Sequence, residues 1–295
     1  ARRMLVDPNI GVLNASPPDF ARRVDQLRFH GNEAGPPYHY LNGGVWPHGN
    51  AWYALALNAV GARQEAYDFL AKTMSLGGVM TSPNGQPAMY EYRCSDPGDS
   101  LWYGRIDKPQ FLWAAGWYLE ALLSIYGLTV NAWNLYIDPF LPLGQSAFAS
   151  DWFVAGNKVL VSIRGQGPLI KRICFDGQDY PSAVLPHKNP PRRRVSVELG
   201  RPQHPYLAAA QSALVSAEWD ERASRLELLF AAFAGHSSSV VVISPRPLVK
   251  ASLASSGSLL WDAELADGAY RTTIRFTHRK AEERLVLCFE KDRSE

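Results

Sequence analysis

The chain has 295 residues, of which 46% are hydrophobic and 20% are charged. This composition excludes an intrinsically disordered protein and supplies enough apolar side chains for a sizeable core, and the length suits two domains. The formal net charge of +2 excludes a broad polyanion-binding surface. We interpret the one dense basic run, residues 192–194, as a solvated turn rather than as a nucleic-acid site.

The cysteine content and the lengths of the apolar runs restrict the class of protein further. Cys94, Cys174 and Cys288 are widely spaced and odd in number, which excludes a fully paired disulfide framework and favours a reducing compartment such as the cytoplasm. No apolar run reaches the about 18 residues that a membrane-spanning helix needs. No set of His, Asp and Glu residues has the spacing of a metal site. We therefore expect no membrane partner, no metal and no cofactor.

Two apolar segments with helical spacing come first along the chain. The first covers residues 18–29. The second covers residues 50–60, with Asn50 in the capping position and Gly61 at the end. Each segment predicts a helix.

Two further predicted helices follow. Residues 63–76 place apolar side chains on one face, and the glycines at 77–78 are expected to end the helix. Residues 108–126 are apolar on nearly all sides, which is typical of a helix buried inside a larger helical array. Because Trp113 and Trp117 are four residues apart on this segment, we interpret both as core packing.

The later part of the chain consists of short Val-, Ile- and Leu-rich runs separated by turn residues, and we place the boundary near Gly127. Residues 1–127 therefore form a predicted helical domain, and residues 128–295 form a predicted β-sandwich domain. The predicted strands cover residues 159–163, 170–175, 195–199, 226–230, 240–243, 270–276 and 285–289.

Two loops between the predicted helices carry more polar and aromatic side chains than connections need. They cover residues 38–52 and 87–98. Pyranose rings stack their C–H faces on Trp and Tyr, and their hydroxyls need Asn, His, Arg and carboxylate partners. Because both loops precede apolar helices, we expect their side chains to meet at one end of a helical bundle. The loops therefore predict a saccharide site.

Glu91 is the candidate catalytic carboxylate of this site. Hydrolysis of a glycosidic bond needs one carboxylic acid to protonate the departing oxygen, and one carboxylate to activate water or attack the sugar. An ion pair with Arg93 is the alternative role for Glu91, and a turn before residues 97–98 is the alternative for Asp96. The candidate substrate-binding residues are Tyr40, Asn42, Trp46, His48, Asn50, Trp52, Tyr92 and Arg93.

Each of four ring side chains in the first loop has two possible interpretations. Stacking on a sugar and packing in the protein are equally expected for Trp46 and Trp52. For His39 and His48, the alternative to sugar binding is a hydrogen bond to backbone groups of the loop.

The order of these motifs resembles a known superfamily. Residues 41–52 read LNGGVWPHGNAW, and with the helix that follows they are similar to the late barrel helices of (α/α)6-barrel glycoside hydrolases and phosphorylases. Residues 86–92, 111–118 and 135–142 are similar in order and spacing to the C-terminal part of the cellobiose phosphorylase family. In that family the last barrel helix leads into a β-rich domain. The resemblance covers about residues 36–165.

The resemblance implies a multidomain α and β fold. The helical domain is then the late part of an α/α-barrel, or six-hairpin toroid, incomplete in this chain, and the β-sandwich-like domain follows it. The families resembled carry the general acid on an earlier barrel loop, for which Glu33 is a weak counterpart here. We therefore expect an N-terminal portion or a second chain to complete the site.

Two departures from the family pattern bear on the reaction. The phosphorylases resembled have glutamine where this chain has Glu91, and a Thr-Gly pair near residues 114–116, where this chain has no threonine. An anionic Glu91 would repel phosphate, so water is the expected nucleophile. The resemblance thus implies an inverting glycoside hydrolase that acts on a glucose-type oligosaccharide or glycan with Glu91 as general base. A phosphorylase of the same fold and a non-catalytic carbohydrate-binding protein are the alternatives.

Overall fold

The computed structural model describes residues 2–28, 33–131, 133–154, 157–186 and 192–291. The chain divides into two compact units, Ala1–Ile125 and Tyr126–Glu295. Strand accounts for 42% of the structure and helix for 19%. Among the described residues, none of the helices has both the length and the apolar character needed to cross a bilayer.

The first unit combines helices with two short antiparallel ribbons. Its helices are α1 (Arg2–Leu5), α2 (Val24–Leu27), α3 (Pro47–Ala59), α4 (Arg63–Met74), α5 (Leu76–Thr81) and α6 (Ala115–Ile125), with single 3-10 turns at Phe20–Arg22 and Leu112–Ala114. Its strands are β1 (Val6–Asp7), β2 (Gly11–Val12), β3 (Tyr92–Arg93) and β4 (Ile106–Asp107). β1 pairs with β2, and β3 pairs with β4.

The helix predicted at residues 50–60 is present, but it begins earlier. Pro47 occupies the first turn of α3, where its fixed φ suits a helix and its missing N–H costs no hydrogen bond. The prediction that Asn50 caps this helix is wrong. The prediction that Gly61 ends it is confirmed, because Gly61 has a φ of +83°, which favours glycine after a helix.

The helix predicted at residues 63–76 ends sooner than its glycines indicated. Ser75 has an extended conformation that stops α4, and its hydroxyl accepts a hydrogen bond of 3.0 Å from the Gly78 N–H. Ser75 therefore caps a second short helix, α5, which contains both predicted terminators.

The prediction of an α/α-barrel toroid of the six-hairpin type is wrong, because the chain is mostly β-sheet. Helices α3, α4 and α6 pack against one another, but loops and the two ribbons form most of the rest of the first unit. The predicted helix at residues 18–29 is reduced to single turns, and residue 29 lies outside the described residues. The predicted helix at 108–126 begins only at Ala115, since Lys108 and Gln110 have φ values of +45° and +74°.

The second unit is built from strands. They are β5 (Leu128–Val130), β6 (Asn134–Ile137), β7 (Ala147–Val154), β8 (Asn157–Gly165), β9 (Ile170–Phe175), β10 (Gln178–Asp179), β11 (Val184–Pro186), β12 (Arg192–Leu199), β13 (Tyr206–Ala210), β14 (Ala213–Asp220), β15 (Arg225–Ala231), β16 (Ser237–Ser244), β17 (Leu248–Leu253), β18 (Leu259–Ala266), β19 (Ala269–Thr277) and β20 (Glu282–Phe289). Every strand predicted from the sequence is confirmed, within β8, β9, β12, β15, β16, β19 and β20.

Two four-stranded antiparallel sheets enclose an apolar core of the second unit. Their strand orders are β13-β16-β19-β18 and β14-β15-β20-β17. Strand β15 is an example of how a strand contributes to this core. Its alternate residues Leu226, Leu228 and Phe230 are fully buried in the apolar cluster that both sheets form. The remaining strands form a five-stranded sheet, β10-β9-β12-β8-β7, and a three-stranded sheet, β11-β6-β5.

The basic run at residues 192–194 is not the predicted turn, because it begins β12. Arg193 forms an ion pair with Asp176 and lies over the Phe175 ring, 4.8 Å from its centroid. The Arg194 N–H donates a 2.8 Å hydrogen bond to Asp176 Oδ1. The charges of this run are therefore partly neutralised within the sheet. Residues 189–191, which suggested the turn, lie outside the described residues.

Candidate functional site

The first polar loop folds tightly on itself. Tyr38 and Tyr40 both have left-handed backbones, with φ values of +68° and +40°, which non-glycine residues rarely adopt. Gly44 fits against this turn because a Cβ there would lie 2.7 Å from the Tyr40 N and O atoms and 3.0 Å from the Tyr92 ring. Such strain occurs often at functional sites, where the surrounding structure holds it in place.

The structure brings the two polar loops into contact. The Val45 N–H donates a 3.0 Å hydrogen bond to the Arg93 carbonyl, and the Arg93 N–H donates a 2.9 Å bond to the Val45 carbonyl. The Ser95 hydroxyl donates a further 2.7 Å bond to the Gly43 carbonyl. The β3–β4 ribbon thus carries the segment around Glu91 against the first loop.

Glu91 is nearly buried, with 8% of its surface exposed, and it pairs with Lys108. Its backbone N–H donates a 3.3 Å hydrogen bond to the Asp107 carbonyl. The alternative prediction of an ion pair with Arg93 is wrong. The hydrogen bond to Glu91 raises the pKa of Lys108, which is therefore an ammonium group at neutral pH. This ammonium group donates a hydrogen bond to the Oε2 atom of Glu91.

Arg93 has a structural role in the second loop. Its Nε donates a 2.8 Å hydrogen bond to the Gly104 carbonyl, and one terminal nitrogen donates a 2.7 Å bond to the Pro83 carbonyl. The guanidinium is fully buried, and burial lowers its pKa. Because none of its surface faces solvent, we leave Arg93 out of the proposed binding surface.

Asn42 and Asn50 are fully buried as well. Asn42 Oδ1 accepts a 3.2 Å hydrogen bond from the Phe20 N–H, and its Nδ2 donates to the Gly35 carbonyl at 3.2 Å. Asn50 Oδ1 accepts a 2.7 Å bond from the Val12 N–H, which fastens the β1–β2 ribbon to α3. Both amides brace the loop backbone, so we leave them out of the binding surface too.

Five rings form what we call the aromatic surface. His48 is at its centre, with its ring centroid 4.3 Å from that of Trp113, 4.7 Å from that of Trp52 and 5.1 Å from that of Trp46. Trp117 extends the surface, 5.5 Å from Trp52. The members are thus Trp46, His48, Trp52, Trp113 and Trp117, which α3 and the start of α6 hold side by side.

The interpretation of Trp113 and Trp117 as core packing is wrong. Each has 42% of its surface exposed, and Trp52 has 49%. Trp113 lies in the 3-10 turn before α6 and Trp117 in the first turn of α6, and both face other rings and solvent rather than the interior of a helical array. Indole rings are costly to leave in water, so a partly exposed cluster of them indicates a binding surface.

Two tyrosines connect the aromatic surface with the Glu91 segment. The Tyr40 ring lies 4.9 Å from Trp46 and 5.7 Å from Tyr92. Tyr92 pairs across the ribbon with Asp107, so both side chains lie on one face. Burial, followed by the charge of Asp107, raises the pKa of Tyr92 to about 12. Its hydroxyl is therefore protonated at neutral pH and can donate a hydrogen bond.

Among the described residues, the rings of the two loop histidines form no hydrogen bond to the backbone of the kind that their alternative interpretation required. His39 Nε2 lies 3.5 Å from Cys94 Sγ, and Cys94 is a free thiol whose pKa is raised by burial. His48 Nδ1 is buried without a hydrogen-bond partner among the described residues, and burial lowers the pKa of His48. The turn role of Asp96 is confirmed by a 2.9 Å hydrogen bond from the Gly98 N–H.

Asp107 and Lys108 are the site residues that sequence reasoning missed. A signal was present, because the turn residues at 96–100 separate two short extended segments, as in a hairpin. Glu33, the weak candidate for the general acid, is exposed, and residues 29–32 before it lie outside the described residues. In the part of the chain that the structure describes, no group of three or more His, Cys, Asp and Glu side chains is arranged to hold a metal ion.

Comparison of the sequence with protein-family models finds no match, and comparison with curated proteins finds none either.

Proposed function

We propose that the first unit binds an oligosaccharide on the aromatic surface and hydrolyses a glycosidic bond beside Glu91. The observation that carries the proposal is the exposed cluster of tryptophans, which tyrosines link to the nearly buried Glu91. Indole faces stack on the C–H faces of pyranose rings, and Trp52 and Trp117 have the exposed area that stacking needs.

The proposed roles follow from what each side chain can reach. Tyr40 and Tyr92 supply hydroxyl groups for hydrogen bonds with the sugar, and His48 supplies its ring at the centre of the aromatic surface. Glu91 acts as the general base that removes a proton from the attacking water, in an inverting mechanism on a glucose-type substrate. Lys108 holds the Glu91 side chain in position through their ion pair.

The reaction also needs a carboxylic acid to protonate the departing oxygen. Asp107 is our candidate, because the ribbon places it opposite Tyr92 and next to Lys108. Its backbone carbonyl accepts the Glu91 N–H, so the two acidic residues are fixed in the same small ribbon. Substitution of Asp107 by Asn should slow cleavage of substrates with poor leaving groups more than of substrates with activated aryl leaving groups.

Substitution of Glu91 by Gln tests the proposal. We expect the release of reducing sugar from gluco-oligosaccharides to fall at least about a hundredfold, because amides do not accept the proton of water. Glu120→Gln is the matched control, since Glu120 is exposed on α6 and undergoes the same chemical change. Proton NMR identifies the anomer of the sugar that is released first, and an anomer opposite to that of the cleaved linkage shows inversion. An unchanged rate in the Glu91 variant would remove this residue from the mechanism.

A non-catalytic saccharide-binding function is the second candidate, and the Lys108 ion pair favours it. The Lys108 ammonium group occupies one oxygen of Glu91, and Glu91 would then only position the ribbon. The two candidates differ in one measurement. Binding without release of any product, with or without added inorganic phosphate, supports the second, and phosphate-dependent release of a sugar 1-phosphate would contradict both.

A further inference from the structure

A buried serine and a buried histidine lie together at one end of the two four-stranded sheets. Ser212 Oγ is 2.9 Å from His278 Nε2 and 2.7 Å from Ser238 Oγ. All three side chains are buried. Ser212 belongs to the short connection between β13 and β14, which crosses from one sheet to the other, whereas His278 directly follows β19.

Backbone and amide hydrogen bonds hold the two reactive groups in place. The Asn134 amide donates a 2.9 Å bond to the Ser212 carbonyl and accepts a 2.8 Å bond from the Leu214 N–H. The His278 N–H donates to the His236 carbonyl at 2.9 Å, and its carbonyl accepts from the Gly235 N–H at 2.7 Å. The serine and the imidazole are thus fixed from both sides before any ligand arrives.

The imidazole is neutral at physiological pH. Burial and then the nearby His236 lower the pKa of His278, while the buried Glu283 acts in the opposite direction. His278 Nδ1 has no hydrogen-bond partner among the described residues. With the proton on Nδ1, Nε2 has a free lone pair toward Ser212. Because hydroxyl groups rotate, Ser238 can donate to Ser212 while Ser212 donates to Nε2.

Ser212 also lines a cavity of about 740 Å³ in the second unit. Most of the remaining lining is apolar and includes Leu214, Val215, Ala232 and Phe233. This volume suits a small organic ligand with an apolar chain. A serine that contacts a neutral imidazole and also belongs to the lining of an apolar cavity suits the role of an activated nucleophile.

We propose that Ser212 and His278 form a nucleophile–base pair that hydrolyses a carboxylic ester with an apolar acyl chain. Ser212 Oγ would attack the carbonyl carbon while its proton moves to His278 Nε2. The alcohol then leaves with that proton, and an acyl-Ser212 ester remains. Water attacks this ester with His278 again as base, and the carboxylic acid and the free serine are regenerated. Neither step needs Glu91 or a saccharide.

Fluorophosphonate labelling of the intact chain tests this pair, with 4-nitrophenyl butyrate hydrolysis as the second measurement. We expect the label on the peptide that contains Ser212, and hydrolysis reduced at least about a hundredfold in Ser212→Ala and His278→Gln. Ser237→Ala is the control, because Ser237 is exposed on the neighbouring β16 and should leave both signals unchanged.

Labelling of the unaltered chain, mapped by mass spectrometry, keeps the test valid even if a variant fails to fold. A folded chain that takes up no label, or takes it up at another serine, overturns the proposal. Hydrolysis at the original rate by a folded Ser212→Ala chain overturns it as well.

Discussion

Single side chains of the polar loops separate into those that hold the backbone and those that face a ligand. The residue types alone could not distinguish the two groups, because Asn, Arg, Trp and Tyr occur in both roles. Asn42, Asn50 and Arg93 are buried and bonded to backbone groups, whereas Trp52 and Trp117 are exposed. The partner of Glu91 could not be predicted either, since Lys108 is brought to it by ribbon pairing rather than by helical spacing.

The buried Arg93 should be important for stability. Its replacement by Met removes the donors to the carbonyls of Pro83 and of the buried Gly104 and leaves a cavity at the guanidinium, and we expect a loss of about 2–4 kcal/mol in the free energy of unfolding. Arg105→Met is the control, because that exposed guanidinium stacks only on a ring. Urea unfolding measures the free energy of unfolding of both variants. Equal effects of the two substitutions would contradict the structural role of Arg93.

The pKa of His48 should lie below the ordinary value of 6.5, because burial among three indoles disfavours its charged form. Its stability contribution is then complete above pH 6.5 and is lost as the pH falls through the folded pKa, by no more than about 1.4 kcal/mol per pH unit. An NMR titration of the imidazole, assigned by its absence in His48→Gln, checks this. A midpoint at or above 6.5 would contradict it.

Among the elements, strands β15 and β18 show what the sequence could and could not predict. Strand β15 alternates along its whole length, and it was predicted from residues 226–230. Strand β18 is almost entirely exposed and contains Asp262 and Glu264, so no apolar alternation marks it. The helix predicted at residues 108–126 is longer than α6. The apolar pattern of α6 extends back over the preceding residues, although Lys108 and Gln110 have backbones that are not helical.

The core between the two four-stranded sheets should depend on its largest buried side chains. Phe230→Ala removes a fully buried ring from β15 and should cost about 3–5 kcal/mol in the free energy of unfolding. Phe233→Ala, three residues later, is the matched control, since 73% of that side chain is exposed and the expected change is within about 0.5 kcal/mol. Calorimetry measures the stability of both variants. Similar losses in the free energy of unfolding would contradict the burial of Phe230 in this core.

Across the two units, the sequence predicted the β-rich character of the later residues but not the architecture of the earlier ones. The motifs in residues 41–52 and 86–92 suggested a helical barrel, yet they lie in loops, in the first turns of α3 and at the start of a ribbon. Local patterns indicate where helices form, whereas the number and arrangement of their neighbours depend on contacts between residues that are distant in sequence. The proposed function therefore rests on the exposed rings and on Glu91 rather than on a barrel.

Calorimetric titration of the chain with gluco-oligosaccharides tests this account most directly. We predict binding by the original chain and by Glu91→Gln, and affinity at least about tenfold lower after Trp52→Ala with Trp117→Ala, because each stacked sugar contributes on the order of 1 kcal/mol. Trp261→Ala, a similarly exposed indole in the second unit, should leave the affinity unchanged. Equal affinity in the double variant and the original chain, or no binding of any oligosaccharide by the original chain, would contradict a saccharide site on these rings.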